Sequence, residues 1–185
     1  MMEKVTTFHG NRCFVTVGST RFDSLIQQMV SDEVVSSLKA IGISEVVMQI
    51  GHSQRPSHSR TDDGCYNVNG VFFMQYRHKP SIGEDIDKAD LVIGHAGAAT
   101  CTEVLSRSKP LICVFNESLM DNHQMELAGH LYAMQCVGMA SPESLCSVIT
   151  SLPSFKFLPF ERPDLSKVAK EIDRVMGYAD SVPVE

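Results

Sequence analysis

Residues 91–103 read LVIGHAGAATCTE, an order of residue types that can hold an anion. A short apolar run stops at Gly94, and His95, Ala96, Gly97, Ala98 and Ala99 lead to Thr100, which is placed to cap a helix beginning near Cys101. A strand passing through small residues into a helix start leaves main-chain N–H groups unpaired at the positive end of the helix dipole. The dipole itself contributes only about 0.3–1 kcal/mol when exposed and ~2 kcal/mol when partly buried. A bound diphosphate therefore also needs hydroxyl, amide and further backbone donors. Ser19 and Thr20 supply hydroxyls after an early apolar run, and Asn116, Glu117, Asp121, Asn122, His123 and Gln124 follow a later one. Glu103, one turn into its helix, can accept two hydrogen bonds from a vicinal diol such as ribose or stand as a solvated carboxylate; spacing alone leaves both open. His123 and Gln124 can face sugar hydroxyls or be ordinary first-turn polar residues. His95 can neutralise a phosphate, act as an acid or serve structure alone.

These residues depend on the elements that carry them. Residues 13–17 form a β-rich run ended by Gly18-Ser19-Thr20, and the apolar spacing from Phe22 to Leu38 predicts a helix capped by Thr20 or Asp23 and stopped near Gly42. Residues 45–50, 71–77, 91–93 and 110–115 read as strands, with a short last one at 138–140. Residues 82–89 and 120–135 read as helices, as do a segment starting at Ser141-Pro142-Glu143 and a C-terminal helix over 164–177 capped by Asp164. Residues 52–64 lack apolar periodicity and read as an exposed, mobile loop. Alternation of this kind predicts an α/β fold, a parallel sheet with helices on both faces. Ligands in such sheets lie beyond the carboxyl ends of the strands. The Gly18 turn, residues 76–81, residues 94–100 and residues 116–124 all fall there, so separate stretches converge on one crevice.

Composition narrows the partners. The chain has 185 residues, enough for one well-buried core or at most two very small ones, and is 43% hydrophobic and 21% charged. A net charge of −6 with scattered Lys and Arg argues against nucleic acid. The six cysteines have no C-x-x-C or zinc-like spacing and are expected as reduced, buried thiols. With no signal peptide and no run near ~18 apolar residues, a soluble cytosolic protein is expected. G-x-x-x-x-G-K-[ST], G-x-G-x-x-G and G-x-S-x-G are absent. Asp85-Ile86-Asp87 matches a D-x-D metal motif, but in a helix i and i+2 do not share a face, so it reads as a solvated surface.

HAGAATCTEVL followed by KPLICVFNESLMDNHQMELA resembles the donor-binding half of GT-B glycosyltransferases, in the branch that uses UDP-N-acetylglucosamine. FVTVGSTRFDSLI and the N-E-S-L-M-D-N-H-Q run are similar to the eukaryotic members, small subunits that add the second N-acetylglucosamine to a dolichol-linked sugar. The resemblance covers residues 14–131. It implies a Rossmann-like domain equivalent to the C-terminal (donor) domain of a GT-B enzyme, spanning residues 1–185. It further implies that Gly18, Ser19 and Thr20 line the nucleotide pocket and that the backbone of Tyr76 and Arg77 meets the uracil edge. His95, Ala96, Gly97, Ala98 and Thr100 would hold the diphosphate, Glu103 the ribose, and Asn122, His123 and Gln124 the sugar. The family usually shows Ser-His-Ala-Gly-Ala-Gly-Ser here; this chain departs at Gly94 and at Ala99-Thr100, where alanine lacks glycine's freedom in φ.

A GT-B enzyme clamps donor and acceptor between two domains, so a chain of this length is expected to be half an enzyme. The resemblance places the base on a membrane-anchored acceptor-binding subunit, with His95 a lesser candidate, and the pair at the cytosolic face of the endoplasmic reticulum. The acceptor would be a lipid-linked sugar reached through that partner, the chemistry an inverting displacement without metal or cofactor. The C-terminal helix and the apolar residues 155–160 are candidates for docking; residues 155–160 can equally pack on their own sheet. Two alternatives stand beside this reading, a non-catalytic nucleotide-sugar-binding module and a UDP-sugar 2-epimerase.

Overall fold

The structure, a computed structural model, describes residues 10–115 and 122–160. Strands β1 (Arg12–Thr16), β2 (Glu45–Gln49), β3 (Gly64–Val68), β4 (Val71–Tyr76), β5 (Leu91–His95), β6 (Leu111–Val114) and β7 (Gly138–Ala140) form one sheet of order β3-β4-β2-β1-β5-β6-β7. All neighbours pair parallel except β3, which pairs antiparallel with β4. Parallel strands covered on both faces read as near-continuous apolar runs, which is why β1, β5 and β6 were visible as such. β3 was not: its alternating half-buried pattern lies at the polar edge of the loop segment, where only one face packs.

Helices α1 (Asp23–Met29), α2 (Asp32–Ala40) and α6 (Leu145–Ser151) cover one face, over a core that includes Val15, Leu25, Leu38, Phe73 and Ile149. Helices α3 (Gly83–Lys88), α4 (Ala98–Ser106) and α5 (Asn122–Ala133) cover the other, around Phe14, Ile86, Val92, Val104 and Leu131. The period-two alternation of β1 sends Cys13 and Val15 to the first core and Phe14 to the second.

Several boundaries differ from the expectations. The helix expected over 22–38 is two helices, because Ser31 takes extended backbone and its Oγ accepts the Val34 N–H at 3.3 Å. The apolar spacing runs through the break since both helices face one core. Neither Thr20 nor Asp23 caps α1: Thr20 Oγ1 donates to the Val17 carbonyl at 2.7 Å, and Asp23 pairs with Arg21 and accepts the Gln54 N–H. The helix after Ser141 begins only at Leu145. Asp85 is not solvated; it is buried, accepting from Tyr76 Oη at 2.6 Å and pairing with Lys79 at 2.7 Å, while Asp87 is exposed as expected and pairs with Arg107. Cys65 is exposed and Cys146 half-buried, whereas Cys13, Cys101, Cys113 and Cys136 are buried thiols as expected.

Residues 52–64 are largely exposed, yet they are tethered rather than loose. Arg77 Nη1 donates to the carbonyls of Gly51 and Ser53 at 2.9 and 3.1 Å, and its Nη2 meets Asp62 at 2.9 Å. Gln75 Nε2 reaches the carbonyls of Thr61 and Asp62, and the Gln27 amide brackets Arg55 and Ser57. The polarity of the segment satisfies the ends of β4 and α1. Residues 155–160 pack on their own domain: Phe157 is in the core, its ring 4.6 Å from that of Phe155, and Phe160 lies against the second core. The expected C-terminal helix at 164–177 lies outside the described residues.

Phe14 is fully buried between β2, β5 and the helices of the second face. Truncation to alanine leaves a cavity, and Phe14→Ala should lower unfolding free energy by about 3–5 kcal/mol in urea titrations followed by circular dichroism.

Candidate functional site

The strand order reverses between β1 and β5: β2 and β4 continue on one side, β6 and β7 on the other. This switch point opens a crevice beyond the carboxyl ends of the two strands. The turn Gly18-Ser19-Thr20 leaves β1 on one wall and Ala96-Gly97-Ala98 leaves β5 on the other. Register brings them together, since Thr16 pairs with Gly94.

Helix α4 starts earlier than expected. Its N-cap is Gly97, with φ −79° and ψ 130°, and no side chain caps it. Thr100 is not the cap but lies inside the first turn, buried against Gly94. The earlier start follows from the small residues, because Ala98 and Ala99 are good helix formers. Residue 99 is thus helical, and alanine there needs no glycine-like backbone. The first intrahelical bond runs from Cys101 N to the Gly97 carbonyl at 2.9 Å, so the N–H groups of Ala98, Ala99 and Thr100 form the open end of α4.

His95 stands between the two turns. A Cβ built on Gly97 would lie 2.4 Å from His95 Nε2, and one built on Gly18 would lie 3.0 Å from its Cε1. Gly18 also has φ +60°, which glycine adopts without penalty. The ring therefore occupies the space that side chains at either glycine would need. Burial pushes the imidazole below its ordinary pKa, and the Thr16 main chain opposes part of that. At neutral pH His95 is uncharged, and its buried Nδ1 has no hydrogen-bond partner among the described residues.

The remaining expected residues fall around this centre at different distances. Ser19 and Thr20 are exposed on the β1 turn, with the Ser19 carbonyl held by His52 Nδ1 and the Thr20 carbonyl by His52 N. Glu103 is half-buried on α4, its carboxylate 3.4 Å from Arg107 Nη2. Asn122, His123 and Gln124 open α5, which follows β6, the strand next to β5. Asn116, Glu117 and Asp121 lie outside the described residues. Tyr76 ends β4 and Arg77 follows it, two strands from β1 and so about 10 Å to the side. Their main-chain groups already have partners: the Tyr76 carbonyl accepts from Ile50, the Arg77 carbonyl from Gly51, and the Arg77 N–H donates to Asp63.

Two residues that sequence reasoning passed over are built into the floor. Thr16 and Gln49 are buried polar groups hydrogen-bonded to each other at 2.6 Å. The available signal was a hydroxyl inside the otherwise apolar run 13–17. Chemically, the crevice offers main-chain donors at a positive helix end, a neutral imidazole beside them, and a carboxylate one turn away. Among the described residues no group of His, Cys, Asp and Glu is arranged to hold a metal ion.

The packing of His95 can be checked directly. Gly97→Ala should fold, because φ at residue 97 is an ordinary one, but its methyl must displace the ring. The His95 titration midpoint followed by NMR should rise toward 6.5 as the imidazole loses burial. An unchanged midpoint would show that the ring does not pack on Gly97.

Comparison with known proteins places this geometry in a family. The sequence profile of the glycosyltransferase family 28 C-terminal domain matches residues 12–175. The mouse protein called UDP-N-acetylglucosamine transferase subunit ALG13 is 40% identical over 154 residues, covering 80% of this chain and 13% of that protein. The Cryptococcus neoformans protein of the same name is 31% identical over 199 residues, covering 92% and 98%. The chain thus spans about an eighth of the mammalian relatives it matches and nearly all of the fungal one. The solution structure of ALG13 superposes with a TM-score of 0.65 at 24% identity, covering 87% of this chain and 94% of that one. MurG of Acinetobacter baumannii superposes at 0.58 with 15% identity, covering 92% and 51%. The two superpositions speak for the fold, an α/β domain of the GT-B type. Together with the profile and the fungal relative, they make this chain a member of the glycosyltransferase family 28 C-terminal-domain family.

Proposed function

We propose that this domain binds UDP-N-acetylglucosamine and forms the donor side of a transferase that delivers N-acetylglucosamine to dolichol-diphosphate-linked N-acetylglucosamine. The observation that carries the reading is the uncapped start of α4 facing the β1 turn at the switch point, in a chain of family 28. The relatives' shared name, a UDP-N-acetylglucosamine transferase subunit, supports the donor and a partner. In this reading the diphosphate lies against the N–H groups of Ala98, Ala99 and Thr100 beside Gly97 and His95. Glu103 accepts from the ribose hydroxyls, and Gly18, Ser19 and Thr20 close the opposite wall. Asn122, His123 and Gln124 reach the sugar. The backbone of Tyr76 and Arg77 meets the uracil edge, each carbonyl keeping a second lone pair beside the bond it already accepts.

Direct displacement at the anomeric carbon releases UDP, on which negative charge develops. Main-chain N–H groups fixed at a helix start stabilise that charge without reorganising at the moment of reaction. The domain's contribution is therefore positioning and leaving-group stabilisation. The base that takes the proton from the acceptor hydroxyl belongs to a membrane-anchored, acceptor-binding partner at the cytosolic face of the endoplasmic reticulum. Among the described residues no helix is long and apolar enough to cross a membrane.

Calorimetric titration of the chain with UDP-N-acetylglucosamine, UDP-glucose and ATP, with and without such a partner, tests the reading. The UDP sugars should bind and ATP should not; equal binding of ATP, or none of any ligand with the partner present, overturns it. Glu103→Gln should weaken UDP-N-acetylglucosamine binding about tenfold with little loss of thermal stability, because among the described residues its carboxylate makes only a surface ion pair, with Arg107.

A further inference from the structure

We infer that Thr16 is a positioning residue, holding the two turns of the crevice in fixed relation through its hydroxyl and main chain. It is the last residue of β1 and has no exposed surface. Its Oγ1 donates to Gln49 Oε1 at 2.6 Å and accepts the Gly18 N–H at 3.0 Å. The direction of these bonds is set by chemistry. A main-chain N–H can only donate and an amide oxygen can only accept, so the single hydroxyl proton must point to Gln49. Thr16 is therefore one hydroxyl that donates to β2 and accepts from the β1 turn, its proton and one of its two lone pairs committed.

Its other atoms face the second turn. The main chain of Thr16 lies against the imidazole of His95, and Thr16 pairs across the sheet with Gly94. A Cβ built on Gly94 would meet Thr16 Cγ2 and Thr100 Cγ2, each at 3.6 Å, so the methyls of the β1 end and of the first turn of α4 close on the same point. Gln49, also buried, anchors the arrangement from β2, where it pairs with Thr16 in register. The line runs from Gln49 through the Thr16 hydroxyl to Gly18, then across the His95 ring to Gly97 and the open end of α4. A valine at residue 16 keeps the shape and removes both bonds, leaving the Gly18 N–H and Gln49 Oε1 without this partner. The β1 turn then loses its restraint at Gly18, the end nearest His95, while the bonds from His52 to Ser19 and Thr20 remain.

The inference rests on the donor reading of the crevice for its functional sense and for the UDP readout, but not for the His95 readout. Thr16→Val and Thr16→Ser are compared with the native chain in three measurements: calorimetric titration with UDP, NMR titration of His95, and thermal unfolding. Thr16→Val should weaken UDP binding about tenfold and raise the His95 midpoint as water reaches the ring. Thr16→Ser restores the hydroxyl and should recover both. Should Thr16→Val fail to fold, Gln49→Leu removes the same bond from its other end and should move both readouts in the same direction. A lowered melting temperature with unchanged UDP affinity and an unchanged His95 midpoint overturns the inference, as does failure of serine to rescue. If the native chain binds no UDP with or without the partner, the donor reading falls, and the His95 midpoint alone decides the role of Thr16.

Discussion

The pairing of β1 with β5 is the contact on which the rest depends. These strands are distant in sequence, and the sheet extends away from them in opposite directions. No helix can cover the carboxyl end of a seam where the crossover connections diverge. A gap therefore opens there as a consequence of topology, and the residues leaving the two strands meet across it. Gly18 and Gly97 are small because the His95 ring fills the space between them.

What this arrangement provides is preorganisation more than strength. A helix end contributes about 0.3–1 kcal/mol toward an exposed anion. An acidic chain with a neutral histidine at the crevice adds no strong positive field. Directed donors held at fixed spacing are the alternative, and they hold only if the turns that bear them are rigid. The buried bonds of Thr16 and Gln49 on one side, and the tethering of residues 52–63 by Arg77 and Gln75 on the other, supply that rigidity.

Most of the architecture was legible because parallel strands buried on both faces declare themselves as apolar runs, and small-residue turns mark where they stop. Where two physical signals overlapped, one masked the other. The helical periodicity of residues 22–38 hid the Ser31 break, since α1 and α2 share a core. The threonine at 100 looked like a cap because capping chemistry favours it, while Ala98 and Ala99 let the helix begin before it. β3 was missed because an edge strand with one packed face carries little apolar signal, and Asp85 because its partners Tyr76 and Lys79 come from a neighbouring strand end. In the site, the residues of the loop at 94–100 were readable from local order. Thr16 and Gln49 were not, because their meaning lies in pairing between strands.

The lone antiparallel neighbour, β3, has a different kind of consequence. A parallel sheet ordinarily grows by whole strand–helix units, each new strand arriving through a long crossover. The tight connection from β3 to β4 ends that mode of growth on its side, and it places a short strand at the margin with Cys65 and Asn67 turned outward. The fold is thereby asymmetric as a building block: the border at β3 breaks the parallel succession of strands, whereas among the described residues the opposite border, at β7, keeps it.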